Sequence, residues 1–291
     1  MSLSESGASS GEVSLSGLSM ESTVGGKSPL AYADMAEQAV RGGWPALLSA
    51  STRQATIFNR SYCDDLCDTE VREATGVRHD AYRLRRLLEA VARSLSGEVT
   101  LKSLAQDIVG VSGEHADPKT VATYLDALRR VFAVEDLPAW SVALRSRSRL
   151  RSSPKMHLAD PALACAALGV GTDRLAHDPQ YFGQVFESMV IRDLRVLASA
   201  EYGRVYHYRD NTGLEVDAIV EYPDGKWGAV EVKLGSSRIP DAERSLLTLR
   251  DQRVDLDRVG APAFLAVVTA TEYAYTLPSG IDVIPLGVLG A

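Results

Sequence analysis

Asp217, Glu231 and Lys233 are the residues whose types and spacing best suit chemistry. In EVDAIVEY, Asp217 alternates with Val216 and Ala218 on a strand whose other positions are mainly apolar. The turn Pro223-Asp224-Gly225 carries the chain back into KWGAVEVKLG. There Glu231 and Lys233 are two apart and project to one face, while Val230 and Val232 project to the other. A regular hairpin register stands Asp217 beside Glu231, giving two carboxylates and an ammonium on one face. Two carboxylates with waters and a phosphate oxygen make a hard-oxygen site suited to Mg2+. Such an ion polarises a phosphodiester and helps generate hydroxide, while Lys233 orients or activates the water and offsets developing charge. Glu187 is the fourth candidate, because it sits amid apolar neighbours of the preceding helix, where an unpaired carboxylate is costly unless it meets a metal or a cation. The expected catalytic set is Glu187, Asp217, Glu231 and Lys233, with Glu187, Asp217 and Glu231 as metal ligands. Glu215, two before Asp217, faces the same side as a substitute or supporting ligand, and His207, Tyr208 and Arg209 are nearby.

These residues need a sheet and a flanking helix to hold them. From residue 154 to 291 the pattern supplies both. KMHLADPALACAAL reads as a short strand entering a helix at Asp160-Pro161. DPQYFGQVFESMVIRDLRVLASAEY is a strong amphipathic helix with Phe182, Val185, Phe186, Met189, Val190 and Leu194 on its apolar side. Strand-like RVYHYRD, EVDAIVEY and KWGAVEVKLG follow, then a helical SLLTLRDQ, AFLAVVTA and IDVIPL. Helix, three strands, helix, strand is the skeleton of a mixed α/β domain around a central sheet.

Residues 80–153 have the outline of a winged helix. AYRLRRLLEAVARSLSG turns Leu84, Leu87, Leu88, Val91 and Leu95 inward and stops at Gly97. Thr100 caps LKSLAQDIVG, with Leu101, Leu104, Ala105 and Ile108 inward. Asp117-Pro118 opens a third helix with Val121, Leu125, Leu128 and Phe132 on its buried stripe. FAVEDLPAWS and the arginine-rich run that follows supply the strands and basic loop of a wing. In helix-turn-helix variants the third helix enters the major groove. Lys119, Thr120 and Thr123 on its outer side, with Arg145, Arg147, Arg149, Arg151 and Lys155, are the candidate nucleic-acid contacts, able to neutralise phosphates without reading sequence. A packing or protein-contact role for the same module, with the arginines on the solvent face of a strand, remains the open alternative.

Residues 30–79 read as a helical segment: LAYADMAEQAVRGG stopped by Gly42-Gly43, then STRQATIFNRSYCDDLCDTEVREATG with Ile57, Tyr62 and Leu66 on one side. Residues 1–29, rich in Ser, Gly and Glu, read as a flexible linker remnant. Gly26-Lys27-Ser28 invites a phosphate-loop reading, but the glycine that such a loop needs five positions earlier is Glu21 and Pro29 follows at once, so no ATP site is assigned.

The chain has 291 residues, 45% of them hydrophobic, enough for one large or two modest domains. No apolar run is long enough to span a membrane and the start lacks a basic flank and apolar core, so a cytoplasmic protein is expected. Cys63, Cys67 and Cys165 are too few for a disulfide framework and read as reduced thiols. The net charge of −7 is unevenly spread: residues 81–155 carry 13 basic against 8 acidic side chains, while both flanks are acidic. That permits local phosphate contact and argues against a uniformly basic nucleic-acid binder.

FESMVIRDL, YHYRDNTGLEVDAIVE and GAVEVKLGSS together resemble the carboxy-terminal DUF4143 domain of prokaryotic AAA-type ATPases, which is similar to PD-(D/E)xK restriction-endonuclease and Holliday-junction-resolvase cores. RGGWPALL and SYCDDLCDTEVREATG resemble the part of those proteins between ATPase and winged helix, and MSLSESGASSGEVSLSGL the linker after the ATPase core. The resemblance implies an α+β chain, helical segment and winged helix followed by a nuclease-like domain at 154–291. It further implies a DNA-related or defence-related role and an ATPase encoded upstream or separately. AERSLLTLRD lacks the glutamine that some active nucleases of that superfamily place there. The alternative is a non-catalytic DNA- or protein-binding adaptor whose carboxylate cluster is vestigial.

Overall fold

The structure is a computed structural model, and it describes residues 1–76, 79–108, 113–141 and 153–291. Two short strands, β1 (Val13–Ser14) and β2 (Gly26–Lys27), precede helix α1 (Tyr32–Arg41). Helix α2 (Thr52–Asp65) starts at a capping box in which Ser51 and Gln54 satisfy each other's backbone amides. It passes through a π-helical turn at Leu66–Glu70 into α3 (Val71–Thr75), which ends on the left-handed Gly76. Then come α4 (Ala81–Arg93), β3 (Gly97–Glu98), α5 (Leu101–Asp107), α6 (Pro118–Arg130), β4 (Val134–Leu137), β5 (Lys155–Leu158), α7 (Pro161–Ala167) and α8 (Thr172–Ala176). The long α9 (Pro179–Ser199) leads to β6 (Arg204–Arg209), β7 (Glu215–Glu221), β8 (Trp227–Lys233), α10 (Ile239–Thr248), α11 (Leu256–Val259), β9 (Phe264–Thr269), β10 (Tyr273–Thr276), β11 (Asp282–Pro285) and β12 (Leu289–Gly290). The chain is of the mixed α+β class, and no helix among the described residues is long and apolar enough to cross a membrane.

Two compact units result, one of residues 36–136 and 155–188, the other of residues 1–35, 137–154 and 189–291. The break does not fall at the expected 153/154 boundary, because β5 pairs with β3 and α7 packs on α2 and α4. The first unit is a helical layer with a three-stranded sheet in the order β3-β5-β4. Its helices begin at the caps that the sequence announces: Asp80 accepts from Tyr82 and Arg83 amides, Thr100 from Ser103, Asp117 from Lys119 and Asp160 from Ala162. Leu84, Leu87, Leu88, Val91, Leu95, Leu104, Ile108, Val121, Leu125 and Leu128 are all buried. Three expected core positions point outward. Ile57 is exposed because α2 buries Ala55, Asn59 and Cys63 instead, and Leu101, in the first turn of α5, is also exposed. Phe132 is 76% exposed: α6 has already ended, Ala133 donates back to the Leu128 carbonyl, and Phe132 takes φ 56°, which swings its ring off the stripe.

The second unit is built on a seven-stranded sheet in the order β2-β10-β11-β9-β8-β7-β6. β6, β7 and β8 form an antiparallel meander, whereas β8, β9 and β11 run parallel. A parallel neighbour needs a crossover, and α10 supplies it between β8 and β9. Ile239, Ala242, Leu246 and Leu249 form one core with Ile219, Trp227, Ala229, Leu265 and Val267 of the sheet. On the opposite face of β8, Gly228 leaves room for Phe264, since a Cβ there would lie 2.3 Å from the ring of that buried residue on the neighbouring strand.

Residues 1–29 belong to this unit and are not a flexible linker. β1 pairs in parallel with β12, β2 adds an edge to β10, and Leu3, Val13, Leu15 and Leu18 are buried. Ser10 N donates to Gly287 O and Leu15 N to Gly290 O, both at 2.9 Å, and Leu3 N donates to Asp193 Oδ2 at 2.8 Å. The few apolar residues of the segment find their partners nearly the whole chain length away, which composition cannot reveal. Lys27, from the rejected phosphate-loop reading, lies in β2 and pairs with Glu272 at 3.0 Å.

Candidate metal centre

Strand alternation places Trp227, Ala229, Glu231 and Lys233 on one face of β8, the face that α10 covers. Register then sets their neighbours. Ala218 pairs with Val230 and Ile219 with Ala229 across the β7–β8 hairpin, and on the other side Glu231 lies beside Val267 and Lys233 beside Thr269. The hairpin is closed at its far end by a turn in which Gly225 adopts φ 87° and Asp224 accepts the Lys226 amide. Beyond Ala218, the Asp217 side chain takes over the strand pairing, with Oδ2 accepting the Val232 amide at 2.8 Å. The same oxygen accepts from Lys233 Nζ at 3.2 Å, and Lys233 also donates to Glu231 Oε2 at 2.5 Å. The three residues that the sequence singled out are therefore in contact.

The electrostatics of the trio follow from burial. The Glu231 side chain is 5% exposed, Asp217 14% and Lys233 23%. Burial, then the charge of Asp217, push the Glu231 carboxyl well above the ordinary glutamate range, against the pull of Lys233. Burial alone would lower the Lys233 ammonium, but Asp217 and Glu231 together raise it to about 12. The two shifts are not reciprocal, because the loss of water costs Glu231 more than one ammonium returns.

The other expected residues are placed differently. Glu187 lies in the helical unit, where its Oε1 accepts from Lys155 Nζ at 3.0 Å. Lys155 is itself buried in β5, so it is not on a phosphate-accessible surface, and the assignment of Lys155 to nucleic-acid contact is corrected. The pairing satisfies the argument that a half-buried carboxylate needs a cation, but the cation is a lysine. Beside it, Ser188 Oγ meets His157 Nδ1 at 3.2 Å. Glu215 reaches sideways to Arg209 at 2.9 Å. His207 is buried at an irregularity of β6, donates its amide to Pro138 O, and places Nε2 3.2 Å from Ser153 O. Tyr208, pushed up to about 12 by burial and then by Asp210, lies with its hydroxyl 3.5 Å from that carboxylate. On α6, Lys119 and Thr123 are exposed and Thr120 half-buried. Arg145, Arg147, Arg149 and Arg151 lie outside the described residues. Sequence reasoning did not find Thr269, the neighbour of Lys233, because nothing in a sequence announces which parallel strand a hairpin will pair with.

Among the described residues no three His, Cys, Asp or Glu side chains gather as a metal-holding group. A Mg2+ site does not need three: this ion is commonly held by one or two carboxylates, with waters and a substrate phosphate completing the octahedron. Asp217 and Glu231 offer two hard oxygens bridged by one cation, and the raised Glu231 carboxyl shows a group that positive charge would relieve. The pair fits a divalent ion held in that way. Cys63, Cys67 and Cys165 are buried, and burial pushes each thiol up to about 12.

Two family models match separate stretches of the chain. Residues 182–289 match the domain of unknown function DUF4143. The DUF4143 match runs from early α9 to β12 and contains Asp217, Glu231 and Lys233. Residues 32–174 match a second domain of unknown function, DUF8612, which joins the helical segment, the three capped helices and β5 to α8 in one stretch. No curated protein and no solved structure matches the chain.

Proposed function

We propose that the DUF4143 domain is a PD-(D/E)xK nuclease-like module that holds a divalent ion such as Mg2+ on Asp217 and Glu231 and acts on the phosphodiester backbone of DNA. The observation that carries this reading is the contact of Asp217, Glu231 and Lys233 at the open end of a hairpin in a mixed sheet. The succession of α9, the β6–β7–β8 meander, the α10 crossover and parallel β9 supports the same core. An ion held there would supply Lewis-acid polarisation of a phosphoryl oxygen and a water nucleophile at neutral pH. Asp217 and Glu231 present the hard oxygens, the Val232 amide fixes the orientation of Asp217, and Lys233 offsets charge that develops on the phosphoryl oxygens.

The preceding module is proposed as a winged helix. Its order α4, β3, α5, α6, β4, β5, with β5 between β3 and β4 in the sheet, supports this, and α6 is then the helix offered to DNA. Lys119, Thr120 and Thr123, with Arg145, Arg147, Arg149 and Arg151 of the basic run, are the proposed phosphate contacts. An AAA-type ATPase, encoded upstream or separately, is the proposed partner, and the cytoplasm the proposed location, both on the family resemblance.

A second reading, a non-catalytic DNA- or protein-binding adaptor, is supported by the engagement of Glu187 with Lys155, a cation that the chain itself supplies. Titration of divalent ions with single-stranded, duplex and branched DNA separates the two. Cleavage that is metal-dependent and lost in both Asp217→Ala and Lys233→Ala supports the nuclease. Binding without cleavage in the parent and both variants selects the adaptor.

A further inference from the structure

The ammonium of Lys233 is within hydrogen-bond distance of one oxygen of Asp217 and one of Glu231, the two oxygens assigned above to a divalent ion. Mg2+ takes oxygens at about 2.0–2.1 Å and tolerates little distortion. It cannot share that gap with a full positive charge bonded to both carboxylates. We infer that Lys233 is a latch on the cation seat, and that an ion enters only when the ammonium leaves it. The inference rests on the reading of Asp217 and Glu231 as an ion-holding pair.

The structure also decides which partner moves. Glu231 is 5% exposed and Asp217 is anchored by the Val232 amide, so neither carboxylate is free to turn away. Lys233 is the most exposed of the three and carries its charge on a flexible four-carbon stem at the last residue of β8. The displaced ammonium needs a new anionic partner, and a phosphodiester at the same mouth provides one. Ion and phosphate therefore load together: each favours the arrangement the other requires, and the coupling is reciprocal. In the absence of phosphate the seat is held shut by the protein's own lysine.

Mn2+ binding to the full chain, followed by calorimetry and by electron paramagnetic resonance, tests this with the parent, Lys233→Gln and Asp217→Asn. The latch predicts that Lys233→Gln binds Mn2+ at least about tenfold more tightly than the parent. It also predicts that Asp217→Asn abolishes the site in both backgrounds, and that a short DNA duplex tightens binding to the parent more than to Lys233→Gln. A site that Asp217→Asn removes, but that Lys233→Gln leaves unchanged or weakens, overturns the latch and leaves the ion-holding pair standing. Absence of any Asp217-dependent binding overturns the pair and the latch with it. The parent chain gives a second measurement that does not depend on the glutamine variant folding. It has six lysines, and with 15N-labelled lysine the Lys233 signal is the one missing from Lys233→Arg. Saturating Mg2+ with duplex must move that signal away from its position in the free protein, and an unmoved signal overturns the latch.

Discussion

Replacing Lys233 by methionine removes a charge that both Asp217 and Glu231 contact. The size of the loss follows from the ammonium itself. A rise from 10.5 to about 12 corresponds to about 2 kcal/mol of preference for the charged form in the fold, at roughly 1.4 kcal/mol per pH unit. The side chain is 23% exposed, so solvent screening takes only part of that figure. Lys233→Met is thus expected to lose about 1–2 kcal/mol near pH 7.5. Because the folded pKa lies above the unfolded one, this contribution is whole below pH 10.5 and disappears as the pH rises through 12. Glu231 behaves in the same sense for a different reason: burial favours its protonated form, so its contribution to stability is largest below the ordinary value of 4.5 and falls as the pH rises. Glu231→Gln, which keeps the shape and removes the buried charge, is therefore expected to match or exceed the parent at pH 7.5. In the Glu231→Gln background the methionine substitution should cost less than it does alone. Urea unfolding in a Trp44→Phe background reads the result, since Trp140 and Trp227 then report on the sheet unit, where their rings lie 5.0 Å apart. A Lys233→Met protein within about 0.5 kcal/mol of the parent at pH 7.5, against the usual few-kcal cost of breaking a buried pair, would refute the electrostatic account of the site.

Two further outcomes are expected. Leu15→Ala, at a residue 2% exposed in the segment that composition marks as a linker, should lower the stability of the sheet unit by about 2–3 kcal/mol, and a neutral result in the same urea assay would return residues 1–29 to the status of a tether. The three thiols, buried and raised to about 12, should react with an aromatic disulfide reagent at pH 8 only as fast as the chain opens; rapid labelling of the native protein would contradict their burial.

Much of this protein is written in short-range pattern. The period of two in EVDAIVE and GAVEVK put Asp217, Glu231 and Lys233 on strands of one hairpin, and the period near 3.6 with Ser, Thr or Asp caps located α4, α5, α6 and α9. Such signals are local because backbone geometry repeats over a few residues. The same logic failed at Phe132, where the helix stopped two residues before its stripe did, and at Ile57 and Leu101, which the fold leaves exposed.

What only the tertiary structure decided is the choice of partners. The sequence called for a cation or metal near Glu187, and the fold answered with Lys155, 32 residues earlier. A serine-rich start became part of a sheet unit because its few apolar side chains met β12, more than 270 residues on. The sequence determined that Asp217, Glu231 and Lys233 share a face; the fold determined that Lys233 itself lies between the two carboxylates. A charge's partner depends on which surfaces long-range packing brings together, and that is settled by the burial of the whole chain rather than by spacing along it.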